Sequence, residues 1–515
     1  MRNEELFEQL HEVQQKKKCL VVLDDIWSVE AWKSLRPAFP NGNTGSKILL
    51  TTHNKALASK IDPCYFHHDL RCLNEKESWD LLENKAVLRR DGTGSRVDTN
   101  MEALGREMVK RCGGLPLAII VLAGLLAAKH TSREWEMVYR NIRSHKWSDD
   151  HKQLDDGVSK VLALSYHDLP YQLKPCFLYF SHFPEDSEID AKKLYHLWMT
   201  DGILSTDDRK KDETMMDVAE RYLGALAQSC MVQVQVEKSA RRIKCCRIHD
   251  LMLELGLSKA KMNDFLGIIH LHRETDLVDC FSTTSTTTTK IRKLAIHFNR
   301  DVKRVVLPDL EVTQQLRSIL FFTPRSHGED EQSLECLNSP FKDFKLLRVL
   351  DLDRFKFDEK LLESMGNLIN LRYVSFRKCF IPKWHSSICK LGYLQTLDLR
   401  GCIISSEVIV LQGMERLSRL YISYNLDIGN KFKLDGSSNL ETLEGFDTRV
   451  CDVDDLCKLI NLRQLKEATF SKRDNQDLAA FINYLSTSTI HLWQTSLSIY
   501  GCTFSSEQEL ILLKQ

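Results

Sequence analysis

A leucine pattern in the second half of the chain restricts its fold more than any other feature. Leu347-Arg-Val-Leu-Asp-Leu352, Leu371-Arg-Tyr-Val-Ser-Phe376, Leu394-Gln-Thr-Leu-Asp-Leu399 and Leu417-Ser-Arg-Leu-Tyr-Ile422 begin 24, 23 and 23 residues apart. Weaker copies begin at Leu440 and Leu462, and earlier ones lie near Ile291 and Leu316. One L-x-x-L-x-L unit cannot bury its own apolar face. Copies at this period therefore stack into a curved solenoid, each giving one short strand. The leucines face the core and the residues between them point to the concave side. Arg348, Asp351, Arg372, Tyr373, Ser375, Gln395, Asp398, Arg419 and Tyr421 are thus expected to form one exposed patch of charge and tyrosine, suited to a protein partner. Cys379 and Cys402 take the repeat's asparagine-or-cysteine position, a structural role.

A different signal opens the chain. Residues 4 to 18 carry Leu6, Leu10 and Val13 at helical spacing, and Cys19 to Trp27 then read CLVVLDDIW. An apolar run ending in two carboxylates describes a buried parallel strand that presents Asp24 and Asp25 to a crevice, where open α/β sheets place ligands. Two acids there suit a magnesium nucleotide, one facing the metal and the other orienting a water. A second apolar strand, Lys47-Ile-Leu-Leu-Thr-Thr-His53, follows Gly45-Ser46. Yet no G-x-x-x-x-G-K-[ST] phosphate loop occurs in the 515 residues.

Between these ends the pattern is mainly helical. Asn74 and Glu77 have capping-box spacing, ahead of Trp79, Leu81, Leu82 and Leu88. Pro116 to Ala128 is apolar all round with proline in its first turn, so it belongs at the centre of a bundle. Helices are expected at 158–166, 172–180, 190–200 and 213–229. Val232, Val234 and Val236 then alternate with polar residues, Ile243 to Arg247 completes a hairpin, and another helix opens at His249-Asp250. Helices followed by a small β-wing form a winged helix. Its common link to DNA is fold analogy only, and the clustered basic residues DNA requires are missing.

Basic and acidic residues balance at 71 each, which removes any global field toward nucleic acid or an anionic membrane. Sixteen cysteines without C-x-x-C spacing, and no signal peptide, fit a reduced cytoplasmic protein better than a disulfide or zinc framework. The uncharged stretch from Cys112 to Ala128 is too short to be a transmembrane segment.

LVVLDDIW at 20–27, GSKILLTT at 45–52, CGGLPLAI at 112–119, CFLYFSHFPED at 176–186, IHD at 248–250 and the final repeats occur in an order that resembles plant disease-resistance proteins. These are nucleotide-binding leucine-rich-repeat immune receptors (NB-ARC type), and Trp27 resembles the coiled-coil subclass. The resemblance implies a multidomain chain. A partial α/β P-loop-type nucleotide-binding domain covers 1–74, a helical bundle 75–155 and a winged helix 156–278. A Ser/Thr-rich linker follows at 279–290, then an α/β leucine-rich-repeat solenoid at 291–515. It also implies a switch, closed with ADP and opened by ATP, whose repeats sense a pathogen effector or a guarded host protein and whose open form joins other receptor chains. Carried over, the nucleotide-binding residues are Asp24 facing magnesium, Asp25, Thr52, His53, Gly114, Pro116 and Leu117 near the base, and His249 at the phosphate. His249 and Asp250 also read as a plain helix cap.

His53 stands where the family usually has an arginine, and it lacks the guanidinium fork. With the phosphate loop also missing, the chain reads as a truncated or degenerate member, at most a weak switch-type ATPase. The alternatives are a nucleotide-free repeat adaptor or decoy, or a non-functional receptor fragment. Each charge-assisted hydrogen bond of a phosphate loop contributes roughly 1.5–3 kcal/mol. Losing two weakens binding by about 3–6 kcal/mol, roughly a hundred- to ten-thousand-fold. Calorimetry on the purified 515-residue chain should find weak ADP and ATP binding; micromolar affinity would refute this.

Overall fold

A computed structural model describes residues 3–24, 26, 28–39, 45–52, 66, 68–87, 98–144, 157–211, 213–237, 241–271, 291–299, 302, 315–323, 334–335, 341, 344–405, 408–422, 432–434, 438–471, 480–483 and 494–500. The chain forms two compact units, one built on residues 1–72 and the other on 73–324 with 333–515.

In the first unit, helix α1 (Asn3–Lys16) leads into strand β1 (Leu20–Leu23), followed by α2 (Val29–Leu35) and β2 (Lys47–Leu50). β1 and β2 pair in parallel from Leu20↔Lys47 to Leu23↔Leu50. The strands are not buried as expected: Leu20 is 69% exposed and Leu49 53%. A two-strand ladder leaves open faces that a wider doubly wound sheet covers with helices. Leu10 and Val13 of α1 are likewise partly exposed, while Gln14 is buried and its Nε2 donates to the Ala38 carbonyl at 3.0 Å.

The second unit opens with a four-helix bundle, α3 (Glu75–Val87), α4 (Thr99–Arg111), α5 (Pro116–Ala127) and α6 (Ser132–Arg143). The Asn74–Glu77 box is formed: each backbone N–H donates to the other's side chain at 2.9 Å. α5 is central, with eight of its twelve residues buried. Its Gly124 permits a close approach, since a Cβ there would stand 2.7 Å from the Ser229 carbonyl oxygen.

Helices α7 (Gly157–Asp168) and α8 (Leu173–Tyr179) lead to strand β3 (Ile189–Asp190), α9 (Ala191–Thr200) and α10 (Met215–Gln228). The wing is β4 (Gln233–Val236) against β5 (Ile243–Arg247), in an antiparallel sheet ordered β3-β5-β4, and α11 (Asp250–Met262) closes the module. The expected helices and hairpin are all present.

Ten parallel strands, in chain order, make the solenoid sheet: β6 (Gly267–Leu271), β7 (Lys293–Phe298), β8 (Ser318–Phe322), β9 (Val349–Asp353), β10 (Tyr373–Arg377), β11 (Thr396–Asp398), β12 (Arg419–Tyr421), β13 (Thr442–Glu444), β14 (Gln464–Ser471) and β15 (Gln494–Tyr500). The sheet thus begins before the first recognisable repeat. Leu347, Leu350, Leu352 and their counterparts in later repeats fill one continuous core. Cys379 is buried there and its Sγ accepts from the Phe355 N–H at 3.4 Å, a structural thiol as expected. The STTSTTTT stretch lies outside the described residues. Among the described residues no helix is long and apolar enough to cross a membrane.

Candidate functional site

Two sets of residues were singled out, and the structure treats them differently. In the first unit, Asp24 follows β1 and is exposed; its Oδ1 accepts a hydrogen bond from the Thr51 hydroxyl at the end of β2. The strand ends are tied there, since Thr51 N–H donates to Leu23 O at 2.9 Å and Ile26 N–H to Thr51 O at 3.0 Å. This is a strand-end carboxylate oriented by a neighbouring hydroxyl and open to solvent, a donor that fits the outer shell of a hydrated metal. Thr52 is half-buried beside it, whereas Asp25 and His53 lie outside the described residues. A depression of about 490 Å³ in this unit is lined by His11, Trp32, Lys33, Arg36, Pro37 and Phe39, none of them a singled-out residue. Among the described residues no group of three or more His, Cys, Asp or Glu could hold a metal.

In the second unit, Gly113 and Gly114 turn the chain between α4 and α5 with φ of +58° and +72°, values that side chains rarely adopt. Pro116 takes the first position of α5, where its missing N–H costs nothing, and it is exposed. Leu117 is half-buried against the winged-helix core. His249 caps α11, its Nδ1 accepting from the Leu251 N–H at 3.4 Å, and is exposed with Asp250. The capping role is therefore formed, and the same helix N-terminus still favours an anion.

The patch expected on the concave face requires correction. Its register is right, but it is not exposed. Asp351 and Tyr373 are 0% exposed, Asp398 1% and Tyr421 2%, while Arg348, Arg372, Gln395 and Arg419 are half-buried and Ser375 is buried. The physical reason is that α9 of the winged helix covers the face. Leu320, Val349 and Tyr373 of the strands belong to the same apolar cluster as Leu194, Leu197 and Trp198 of α9.

Charged groups seal this contact. Asp190 caps α9, accepting from the Lys193 N–H at 2.8 Å, while its other oxygen accepts from Arg377 at 3.4 Å. Asp398 accepts from Arg377 Nε and from Arg400 Nη2, both at 2.7 Å. Arg400 continues to Glu444 at 3.4 Å, and Lys192 meets the same carboxylate at 3.0 Å. Lys193 forms an ion pair with Asp351. His196 Nε2 lies 2.7 Å from the Tyr421 hydroxyl, and the Arg400 guanidinium stacks 4.5 Å from the Tyr421 ring centre.

The electrostatics follow from this packing. Burial alone would raise Asp398, but Arg377 and Arg400 outweigh it and hold the carboxyl well below the usual range. Burial drives His196 well below the ordinary histidine value, so it stays neutral. At the adjoining contact, His297 Nε2 donates to the His182 carbonyl at 2.7 Å, and burial lowers the two rings to about 4 and about 3. The vicinal Cys245 and Cys246 are both raised, chiefly by burial, which disfavours the thiolate that redox chemistry requires.

Asp190, Lys192, Lys193, His196, Arg377, Arg400 and Glu444 escaped the sequence reading. Arg377 and Arg400 occupy the same repeat position, just past the end of L-x-x-L-x-L. That recurrence was the available signal.

Comparison with known proteins adds the following. The NB-ARC domain matches residues 1–92, a disease-resistance-protein winged-helix domain residues 183–256, and a leucine-rich-repeat region residues 315–510. The chain is 38% identical over 455 residues to the disease susceptibility protein LOV1 of Arabidopsis thaliana, covering 87% of this chain and 48% of that protein. It is 35% identical over 519 residues to disease resistance protein RPP8 of the same plant, covering 96% and 53%. An inactive disease susceptibility protein LOV1, also of Arabidopsis thaliana, is 38% identical over 455 residues, covering 87% and 48%. The chain spans about half the length of these relatives.

Proposed function

Because the chain belongs to the plant disease-resistance family of NB-ARC, winged-helix and leucine-rich-repeat proteins, we propose that it is the switch-and-sensor part of a cytoplasmic defence receptor controlled by ADP and ATP. In this reading Asp24, oriented by Thr51, faces the magnesium of a bound nucleotide, with Asp25, Thr52 and His53 beside it. Gly114 allows close backbone approach, Pro116 and Leu117 pack on the base, and His249 offers a helix N-terminus to the phosphate. A bound nucleotide would supply the charge that biases one state over the other, and it can do so only by binding the two states unequally. The chain acts as a switch, with at most weak ATPase turnover. A pathogen effector or guarded host protein engages the repeats, and other receptor chains join the open form.

The observation that carries this reading is the clasp between α9 and the concave face, a discrete contact that two states can differ in. A second reading is a nucleotide-free adaptor or decoy, or a non-functional fragment, and a relative named an inactive disease susceptibility protein is consistent with it. Expression in leaves separates them. Lys193→Glu places a carboxylate against Asp351 and should provoke cell death without infection, and adding Asp351→Lys should quiet it. A leaf that responds to neither, with both proteins accumulating, would overturn the switch and leave the second reading.

A further inference from the structure

The concave face is occupied by the chain's own winged helix, so a partner of the first repeats must dock elsewhere. The turns that enter the strands provide another surface. Leu346, Tyr393 and Arg416 each stand immediately before the first leucine of a repeat, and Ile369 stands one residue further back. Parallel in-register strands place such positions side by side, about 4.8 Å apart per strand. Leu346 is 47% exposed, Ile369 55% and Tyr393 47%, and the Arg416 guanidinium lies 4.5 Å from the Tyr393 ring centre. Three neighbouring repeats thus show an aliphatic, an aliphatic and an aromatic side chain along one edge. An ordered apolar row of this kind on a soluble solenoid marks an interaction site.

The edge is also held rigid. Asn370 Nδ2 donates to the Lys345 carbonyl of the preceding repeat at 2.7 Å, Asn439 to Glu415 at 2.7 Å and Asn461 to Ser438 at 2.9 Å. Each asparagine ties its turn to the previous one, so little ordering remains to oppose binding. Among the described residues around the row, Lys345, Lys390 and Arg416 are exposed cations and Glu415 is an exposed carboxylate. Arginine and tyrosine in contact are the side chains most often central to an interface.

We infer that this lateral edge is the partner-binding surface of the repeats, and that it takes an acidic polypeptide segment carrying apolar side chains between its carboxylates. The inference rests on the reading of the repeats as a protein sensor, and names the chemistry they sense. The apolar row seats the partner's hydrophobic side chains, and Lys345, Lys390 and Arg416 meet its carboxylates at the rim, where charge sets orientation and encounter rate.

The test uses the full chain and a fluorescein-labelled synthetic peptide alternating paired glutamates with leucine and tryptophan. The same peptide with lysine for glutamate, and one with serine for the apolar residues, serve as controls. Anisotropy titration should give saturable binding of the acidic apolar peptide alone, weakened at high salt. Ile369→Asp or Tyr393→Asp should weaken it at least about tenfold, as should Lys345→Glu combined with Arg416→Glu. These side chains are exposed, so circular dichroism and the thermal midpoint should not change. Three results would overturn the inference: no saturable binding, equal binding of a control peptide, or binding indifferent to the edge variants. Self-association through Ile369 and Tyr393, seen by sedimentation, would assign the edge to a second copy and overturn it as well. The leaf assay with Lys193→Glu is independent. Its failure with intact peptide binding counts against the switch alone, and the converse counts against the edge alone.

Discussion

Replacing Arg400 with methionine should destabilise the docking of the winged helix on the repeats by up to about 3–5 kcal/mol. The size follows from what remains behind. Asp398, 1% exposed, loses the partner that meets both of its oxygens and keeps Arg377, and Glu444, 5% exposed, keeps Lys192 with Lys466 nearby. Removing one member of a buried ion network costs more than its contacts contribute, because Asp398 then holds its charge away from water with Arg377 but without Arg400 to offset it. Tyr421 also loses the guanidinium stacked on its ring. The measurement is hydrogen exchange of the α9 amides, which should speed up while the strand amides of the later repeats hold. A double variant, Arg400→Met with Asp398→Leu, should recover part of the loss, with Arg377 left to Asp190. If the double variant is no better than the single one, the cost comes from packing rather than from a stranded charge.

Acidification should loosen the same region well before the carboxylates titrate. His182, lowered to about 3, His297, lowered to about 4, and His196, lowered well below the ordinary value, are neutral in the fold chiefly because burial disfavours the cation. In the unfolded chain each takes a proton near pH 6.5. Their contribution to stability is therefore fully present above that value and is lost as pH falls toward the folded pKa. Each pH unit in this window costs about 1.4 kcal/mol for His182 or His297, or about 2 kcal/mol each between pH 7 and 5. Asp201 and Asp353, both raised mainly by burial, act in the opposite sense, but only once pH reaches their own range. Asp398 and Asp190, held low, add a second loss below about pH 4. Urea denaturation at pH 7, 6 and 5 should show the first decline, and His182→Gln should make it shallower by about 2 kcal/mol over that window. An unchanged slope would mean that the ring is reached by water.

Much of the architecture was legible because its signals are local and periodic. The leucines at 347, 350 and 352 and their counterparts identify the core face of each strand, and the valines at 232, 234 and 236 the wing. The Asn74–Glu77 and Pro116 signals mark helix starts by capping chemistry that depends on a few adjacent residues. The functional surface was harder. Strand periodicity says which side Asp351, Tyr373, Asp398 and Tyr421 point to, but not what covers that side. The cover is α9, more than 150 residues earlier in the chain, and no local rule links Lys193 to Asp351 or Asp190 to Arg377. The expected burial of β1 failed for a related reason: an apolar strand shows that it suits a covered sheet, whereas its exposure depends on neighbours beyond the strand. The strand-end position of Asp24 was legible because an acid pair after an apolar run is itself a local signal.

The clasp on the concave face has a consequence for how such a chain can diverge. Asp351, Arg377, Asp398, Arg400 and Glu444 come from four different repeats, and α9 reads them at the fixed intervals that stacking imposes. Gaining or losing one whole repeat between β9 and β13 would carry every later residue out of reach by one strand spacing. Point changes there can be compensated; unit duplications cannot. Lys466 of β14 extends this hold, since it interacts with Lys192 of α9, with Glu444, and with Glu237 and Arg242 of the wing. The solenoid is thus fixed in repeat number from β9 to β14 by its hold on the winged helix.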